Sequence, residues 1–367
     1  PYPTGDSSKA DPTKAPDVVN NSWGCLEGCA PPVLKDVNDA TIAAGIMQVV
    51  SAGNDGQGSE LGCSTLAFPL AVYDSSFTVG ANDVKGEMAD FTSLGPVVSD
   101  ASMRIKPNIS GPGVSVRSSV PDNDYGSLSG TSMSGPHVAG VAALIMSAEP
   151  RLIGRVMDVR TLIERTAAHT LKTSNTASSC GGTANTDIPN NIFGYGLVDA
   201  LAAVKGRPQL LISTSAPDSV AAGSAFDWEI TVRQPDEAVL EASNVKLSLI
   251  PPAIGIQSLS ERLDAASNTA MNVFKRTSLK PGETWTVRYT FAPVNAQTVN
   301  FPAPTGEADQ ISPKSGNAVT TLIGGGGPTP STGGNTADSG RFGGGAMALF
   351  SGLPLLAIAF RRQRARR

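Results

Sequence analysis

Apolar residues along roughly the first 205 positions alternate between short runs and segments in which they recur at helical spacing. This pattern predicts strands near 18–21, 46–51 and 77–80, and helices near 34–44, 132–146, 157–168 and 198–204. A strand, a helix and a strand in succession favour right-handed parallel units. We therefore predict an α/β fold in which a parallel sheet carries helices on both faces. A binding site in such a sheet lies at the carboxyl ends of the strands.

From about residue 207 the apolar period changes from that of a helix to that of a strand. Strands separated by Pro, Gly and Asn turns are predicted at 210–212, 226–232, 245–250 and 284–291. This pattern is typical of a small all-β, antiparallel sandwich of immunoglobulin-like type over residues 207–323. No charged or aromatic cluster marks a binding site there, so the sequence assigns this part no function.

The end of the chain has the pattern of a membrane anchor. Residues 324–341 are rich in Gly, Pro, Ser and Thr, which predicts a flexible linker. Residues 342–360 form a stretch of 19 uncharged positions. At about 1.5 Å per residue, a helix of that length just crosses a hydrocarbon core of about 30 Å, so we predict a transmembrane helix. Five Arg in residues 361–367 predict a basic cytoplasmic tail, which places the rest of the chain outside the cytoplasm.

Net charge and cysteine content indicate which partners and which cellular compartment the protein has. A net charge of −4 argues against a nucleic-acid partner, because a phosphate binder needs a clustered basic face. The chain has no initiating Met or signal peptide, so we expect further residues upstream. Its Cys residues favour disulfides in an oxidising compartment, since no His lies near Cys25 and Cys29 to complete a metal site. Loops after neighbouring strands approach each other, so we predict that Cys63 pairs with Cys25 or Cys29, with Cys180 left unassigned.

The string Gly130–Gly140, GTSMSGPHVAG, contains the candidate nucleophile. Ser132 lies at a predicted helix start, where free N–H groups and the helix dipole favour a developing negative charge. Almost only apolar residues follow, which predicts a helix buried on all sides. His137 is rotated away from the Ser132 hydroxyl on that helix and is expected in the core, whereas His169 is expected at a helix end on the surface. For the motif alone, the alternative is a core helix with a capping Ser.

This string resembles the nucleophile motif of the subtilisin-like serine proteases, the subtilases. Segments similar to other motifs of that family follow in the family's order at 18–24, 49–56, 106–114 and 193–200. Within the family, the motif Asn-Asn-Ser-Trp-Gly most resembles the bacillopeptidase F branch. The resemblance covers about the first 205 residues. It implies a subtilisin-like sheet in which Ser132 attacks the peptide carbonyl and the side chain of Asn54 contributes to the oxyanion hole. The substrate-binding residues that it implies are Ser22, Trp23, Gly24, Ser51, Ala52 and Gly53.

Two catalytic motifs of the family are missing from this sequence. Family members carry the catalytic Asp and His in Asp-Thr/Ser-Gly and His-Gly-Thr motifs ahead of these segments. Neither motif occurs here, and the Asp74-Ser75 pair lacks the Gly and follows Asn54, in the wrong order. We therefore predict the carboxyl-terminal portion of a serine endopeptidase that does not hydrolyse peptides alone. The alternative is a non-catalytic, surface-anchored protein that binds peptides or adheres through the same scaffold. Calcium is common in the family, but no Asp/Asn cluster here has ligand spacing, so no cofactor is assigned.

The tail has a resemblance of its own. Three Gly, a short apolar helix and an Arg cluster resemble the GlyGly-CTERM sorting tail of Gram-negative bacteria, which a rhombosortase protease removes. That resemblance implies a temporary membrane anchor cut near residues 343–345, with a permanently retained anchor as the alternative. Both imply a secreted or cell-surface protein whose partners are protein or peptide substrates and the membrane.

Overall fold

Four parallel strands form the sheet of the first half of the chain, in the order β1-β2-β3-β4. The structure is a computed structural model, and it describes residues 11–24, 31–56, 62–172, 179–261 and 272–324. The strands of this sheet are β1 (Val18–Asn21), β2 (Met47–Ser51), β3 (Phe77–Asn82) and β4 (Ile109–Pro112). The predicted parallel α/β part is thereby confirmed.

Four α-helices of the described residues accompany this sheet, and each contributes one or more residues to the apolar cluster that contains Met47 and Val49 of β2. The helices are α1 (Lys35–Ala43), α2 (Thr131–Ala148), α3 (Val156–Arg165) and α4 (Ala200–Lys205). Two antiparallel pairs complete this half, β5 (Val116–Val120) with β6 (Asp124–Leu128) and β7 (Ser179–Cys180) with β8 (Thr183–Ala184). The pattern of apolar positions did not predict β4, because Ile109 is the only large apolar residue in that strand.

Strand β2 is buried on both faces, so that its polar residues Gln48 and Ser51 are buried together with its apolar ones. Met47 and Val49 belong to a cluster that includes buried residues of α2, α3 and α4. Val50 belongs to a second cluster, formed with residues 66–73 and Val97. The sheet is thus held between two apolar layers, and its carboxyl edge is left for the loops that follow β1 and β2.

Helix α2 is not buried on all sides, which corrects the prediction from its apolar composition. Val138, Ala142 and Ile145 are fully buried against the sheet side. Leu144 is 55% exposed, and the exposed face of the helix also includes Pro136, His137, Gly140, Ala143 and Ser147. Apolar composition predicts that a face avoids water, but it does not supply the packing partner, and the described elements pack against one side of α2.

The segment 106–114 joins the start of β3 to β4 through a buried lysine. Lys106 is 1% exposed, and its Nζ donates to the Ser76 carbonyl oxygen at 2.7 Å, Thr78 Oγ1 at 3.0 Å and Asn108 Oδ1 at 2.8 Å. Burial, with the positive charge of Arg160 nearby, lowers the pKa of Lys106 well below its ordinary value. Three acceptors match the three donors of an ammonium group, so the role of this lysine is to tie the two strands together.

A disulfide joins Cys63 to Cys180, and the predicted pairing of Cys63 with Cys25 or Cys29 is therefore wrong. The bridge spans 117 positions of the sequence. Cys180 lies in β7, on the connection between α3 and α4, which passes back over residues near Cys63. Strand order predicts which loops share an edge of the sheet. It does not predict the path of the connection between α3 and α4, which lies more than 100 residues after Cys63 in the sequence. Cys25 and Cys29 lie outside the described residues.

Residues 207–323 form sheets around a separate apolar core, and their pairing is antiparallel, as predicted, except for the parallel pair of Ser219–Val220 with Leu322–Ile323. Two four-stranded sheets, ordered β13-β15-β11-β9 and β14-β12-β17-β18, enclose this core, and a three-stranded sheet, β10-β19-β16, adjoins them. The immunoglobulin-like type of this part stays a prediction. The strands are β9 (Leu211–Ser215), β10 (Ser219–Val220), β11 (Phe226–Arg233), β12 (Ala242–Ser248), β13 (Ile256–Glu261), β14 (Val273–Leu279), β15 (Thr284–Phe291), β16 (Gln297–Phe301), β17 (Thr305–Ala308), β18 (Ile311–Ser315) and β19 (Val319–Ile323).

Polar contacts attach these β-sheets to the carboxyl end of α2. Glu149, which is buried, accepts hydrogen bonds from the Ser312 amide at 3.0 Å and the Ser312 hydroxyl at 2.5 Å. Arg151 donates to a Glu307 carboxylate oxygen at 2.7 Å and to the Ala308 carbonyl oxygen at 2.6 Å. A helix of 18 residues is about 27 Å long. The β-sheet part therefore contacts α2 far from the Ser132 end of the helix.

The predicted membrane anchor lies outside the described residues. Residues 325–367, which include almost all of the predicted linker, the transmembrane segment 342–360 and the basic tail, lie outside the described residues. Within the described part of the chain, no helix has the length and apolar character needed to cross a membrane.

Candidate active site

Three segments meet in a cleft of about 280 Å³ at the carboxyl edge of the sheet. One follows β1, the second follows β2, and the third is the start of α2. β1 and β2 are neighbours in the sheet, so the loops after them leave the sheet side by side. Residues lining the cleft are Ser22, Trp23, Gly24, Ser51, Gly53, Asn54, Asp55, Phe68, Thr131 and Ser132.

The structure thus brings together all the predicted site residues except Ala52. Ala52 is fully buried and packs with Val50 and Leu66 behind the cleft, while its amide donates to the Val79 carbonyl oxygen at 3.0 Å. Its position supports β2 from behind, which the sequence motif alone did not distinguish from a position facing the substrate.

Ser132 is the second residue of α2 and is half-buried at the cleft. The first turn of a helix has free N–H groups, so a negative charge that develops beside Ser132 meets the positive end of the helix dipole. The residue before it, Thr131, is fully buried and anchors the helix start. Its Oγ1 accepts a hydrogen bond from the Gly53 amide at 3.2 Å, and the Gly130 amide donates to the Gly113 carbonyl oxygen at 2.8 Å.

Asn54 is oriented by the same threonine. Its Oδ1 accepts hydrogen bonds from the Thr131 amide at 2.9 Å and from Thr131 Oγ1 at 3.0 Å. Because both bonds use the carboxamide oxygen, the Nδ2 group is directed away from them. Among the described residues no hydrogen bond uses Nδ2 as a donor, so this group is available to an oxygen atom in the cleft beside Ser132.

Trp23 and Phe68 supply the apolar walls of the cleft. Trp23 is 52% exposed, and its Nε1 donates to Asn21 Oδ1 at 3.2 Å, which fixes the ring at the cleft mouth. The Phe68 ring packs against Gly24 and Gly53, where an added Cβ would lie 2.9 Å from ring atoms. Gly53 also has a φ of 106°, a conformation that favours glycine.

Phe68 and Asp55 were not among the predicted site residues. Asp55 follows Asn54 directly, and Phe68 lies in an irregular segment without a recognisable motif. The available signal was the pair of glycines at the ends of two neighbouring strands, because glycine leaves room for a ring to approach the backbone.

A general base is missing from the described site. His137 lines a second cavity, of about 290 Å³, which it shares with Ser132, Met133 and residues of β5. Its Nδ1 lies 2.8 Å from the Met133 carbonyl oxygen, and the described residues include no hydrogen bond between His137 and Ser132. The side chain is exposed, so the expectation that His137 lies in the core is wrong; it projects from the uncovered face of α2. His169 is exposed, as predicted, but it does not lie at a helix end, because α3 ends at Arg165.

No metal-binding group is evident in the described part of the chain, where no cluster of three or more His, Cys, Asp or Glu side chains has suitable spacing for an ion. The groups that line the cleft include a serine hydroxyl, a carboxamide donor and the N–H groups of a helix start. This set is suited to nucleophilic attack on a carbonyl carbon.

The chain belongs to the subtilase family, whose profile matches residues 6–196. It is 41% identical over 195 residues to bacillopeptidase F of Bacillus subtilis (strain 168), an alignment that covers 53% of this chain and 12% of that protein. It is 42% identical over 154 residues to subtilisin DY of Bacillus licheniformis, which covers 42% of this chain and 50% of that protein. The chain thus spans half or less of the length of these relatives.

A comparison with solved structures gives a partial likeness. The structure of patellamide maturation protease PatA is 25% identical to the chain, with a TM-score of 0.39, and the match covers 52% of this chain and 62% of that one. Membership of the family rests on the sequence matches.

Proposed function

We propose that the chain is the carboxyl-terminal portion of a subtilisin-like serine endopeptidase in which Ser132 is the nucleophile and Asn54 an oxyanion donor. The observation that carries the proposal is the joint placement of Asn54 and Ser132 through Thr131, whose amide and hydroxyl both bond Asn54 Oδ1. Two donors and a nucleophile at one helix start are what acyl transfer needs. The family supports protein or peptide substrates, and the 41% identity to bacillopeptidase F supports the assignment to that branch.

In this mechanism the Ser132 Oγ attacks the carbonyl carbon of the scissile peptide bond, and its proton passes to a base outside the described residues. The carbonyl π electrons move to the oxygen, which accepts hydrogen bonds from Asn54 Nδ2 and the Ser132 amide. Collapse of this intermediate breaks the C–N bond, and the leaving amine takes up the proton from the base. Water then hydrolyses the acyl-serine ester by the same steps.

The substrate segment is proposed to lie across the cleft between the loops after β1 and β2. Ser22, Trp23 and Gly24 form one side, and Ser51 and Gly53 the other. Trp23 and Phe68 offer apolar surface to a substrate side chain.

A second candidate is a non-catalytic peptide-binding or adhesive protein on the same scaffold. The observation in its favour is that no His side chain in the described part of the chain is hydrogen-bonded to Ser132. A binding protein needs the cleft and the exposed Trp23, but it has no chemical need for both Ser132 and the oriented Asn54. We therefore favour the endopeptidase.

Covalent labelling distinguishes the two candidates. A fluorophosphonate probe reacts only with a serine that a base activates, so the full-length protein from its native host is expected to be labelled at Ser132. Peptide mapping by mass spectrometry identifies the labelled residue. Labelling at a different residue, or no labelling of a protein that retains an upstream Asp and His, would reject the endopeptidase and favour the binding protein.

We further propose that the protein acts outside the cytoplasm, with domains at 1–205 and 207–323 and a temporary anchor at 342–360. The Cys63–Cys180 disulfide supports an oxidising compartment. Gly343, Gly344 and Gly345 lower helix stability just where a processing protease needs unwound backbone. A mature carboxyl terminus near Gly345, found by mass spectrometry of the native protein, is the expected result. An intact Arg367 in the membrane fraction would show instead that the anchor is retained.

A further inference from the structure

The carbonyl group of Ser132 lacks the hydrogen bond that a helix normally provides. In an α-helix each carbonyl accepts from the N–H of the residue four positions later. For Ser132 that residue is Pro136, which has no N–H. The peptide that follows the candidate nucleophile is therefore deprived of its helical donor within the first turns of α2. A half-buried carbonyl without a donor is costly, so a partner from outside the helix is needed.

Ser22 supplies that partner. Its Oγ donates to the Ser132 carbonyl oxygen at 3.1 Å, across 110 positions of the sequence. The hydroxyl has a single hydrogen, and Asn20 sets its direction, because Asn20 Nδ2 donates to Ser22 Oγ at 2.8 Å. With the Asn20 amide donating to the oxygen of Ser22, the hydroxyl hydrogen is free to point at Ser132. The end of β1 is thus linked to the main chain of the nucleophile by two successive hydrogen bonds.

Gly135 permits this close approach of β1 to α2. A Cβ at position 135 would lie 2.6 Å from Asn20 Oδ1 and 3.3 Å from Ser51 Oγ. Ser51 in turn donates to the Thr131 carbonyl oxygen at 3.0 Å, so the two serines hold successive carbonyls of the helix start. The Gly-Pro pair at 135 and 136 therefore has two complementary effects: Gly135 admits the side chains of the strand ends, and Pro136 leaves the carbonyl that Ser22 binds.

We infer that Ser22 is a positioning residue for Ser132, acting through the Ser132 carbonyl in place of the helical hydrogen bond that Pro136 removes. This role differs from contact with substrate, and it rests on the proposed function of Ser132 as nucleophile. The bond fixes the peptide of Ser132 relative to Asn54, on which the alignment of hydroxyl and oxyanion donor depends. Because a misplacement of about 1 Å at a reacting group can cost about 10²-fold in rate, the effect is expected on kcat more than on KM.

A double-mutant cycle between Ser22 and Pro136 tests this inference in the full-length protein. Ser22→Ala is expected to lower the rate constant for fluorophosphonate labelling of Ser132, and kcat for a peptide substrate, by about tenfold. Pro136→Ala restores a backbone N–H at the position from which the helix bonds the Ser132 carbonyl. In the Pro136→Ala background, Ser22→Ala is therefore expected to change either rate less than twofold. Ser22→Thr keeps the hydroxyl and is expected to retain most of the rate.

Equal losses from Ser22→Ala in the parent protein and in the Pro136→Ala variant would overturn the inference, because they would show that Ser22 acts through the substrate or through general packing. The melting temperatures of the same variants give a readout that needs no activity. Ser22→Ala is expected to lower the melting temperature by about 2–4 °C with Pro136 present and by much less with Pro136→Ala. If the parent protein is not labelled at all, the proposed function fails, while this thermal cycle still decides whether Ser22 replaces the helical bond.

Discussion

Replacing Ser132 with alanine is expected to lower kcat for peptide hydrolysis by the full-length protein about 10⁶-fold, the size known for loss of the nucleophile in subtilisin, a member of the same family. Alanine removes the Oγ that, in the proposed mechanism, forms the covalent bond to the substrate carbonyl carbon. It leaves the helix start intact, because no hydrogen bond of the described residues uses the Ser132 hydroxyl, while the anchoring bonds involve Thr131 and the main chain. Steady-state hydrolysis of a fluorogenic peptide by the purified variant measures the loss.

Ser147→Ala is the matched control, since Ser147 lies on the exposed face of the same helix, far from the cleft. The control is expected to keep the parent kcat, and both variants the parent melting temperature. Retention of more than a tenth of the parent kcat by Ser132→Ala would assign the covalent step to a different residue. A large fall in the melting temperature of Ser132→Ala would mean that its loss of activity reports folding, which the intact anchoring through Thr131 argues against.

Local pattern predicted the secondary structure around two candidate site residues, while their roles came from the resemblance to the subtilases. Ser132 and Asn54 lie where a helix begins and where β2 ends, and both boundaries can be read from neighbouring residues. Strand, helix and strand in succession predict a parallel sheet, and in a parallel sheet the loops after β1 and β2 share one edge. Topology therefore predicted that the loops carrying Ser22 and Asn54 lie side by side, whereas the resemblance to the subtilases implied that Ser132 joins them.

The contacts that hold the site depend on features that local pattern does not contain. Ser22 bonds Ser132 across 110 positions, and Cys63 bonds Cys180 across 117, so each pairing follows from the path of long connections. His137 shows a related limit. The apolar composition of a helix predicts that the helix is buried. Burial of a particular residue, however, requires a neighbouring element that packs against it, and no described element covers His137.

The proposed role of Asn54 as an oxyanion donor predicts the second large effect on kcat. Asn54→Ala is expected to lower kcat about 10²–10³-fold, the size known for loss of the oxyanion-hole asparagine of subtilisin, with little change in KM. In the proposed mechanism Nδ2 donates to the substrate carbonyl oxygen as that oxygen becomes negative, so the hydrogen bond is stronger in the transition state than in the bound substrate. Alanine, however, also removes Oδ1, the acceptor for the Thr131 amide and hydroxyl.

Asn54→Asp separates the two functions of this side chain. Aspartate has nearly the same shape and keeps an oxygen that accepts from Thr131, so the start of α2 and the melting temperature are expected to be preserved. It replaces the Nδ2 donor with a negatively charged oxygen that repels the developing oxyanion. The kcat of Asn54→Asp is therefore expected to fall at least as far as that of Asn54→Ala. Parent-like kcat in the aspartate variant, together with a loss in the alanine variant, would show that Asn54 acts by holding Thr131 and not by donating to the oxyanion.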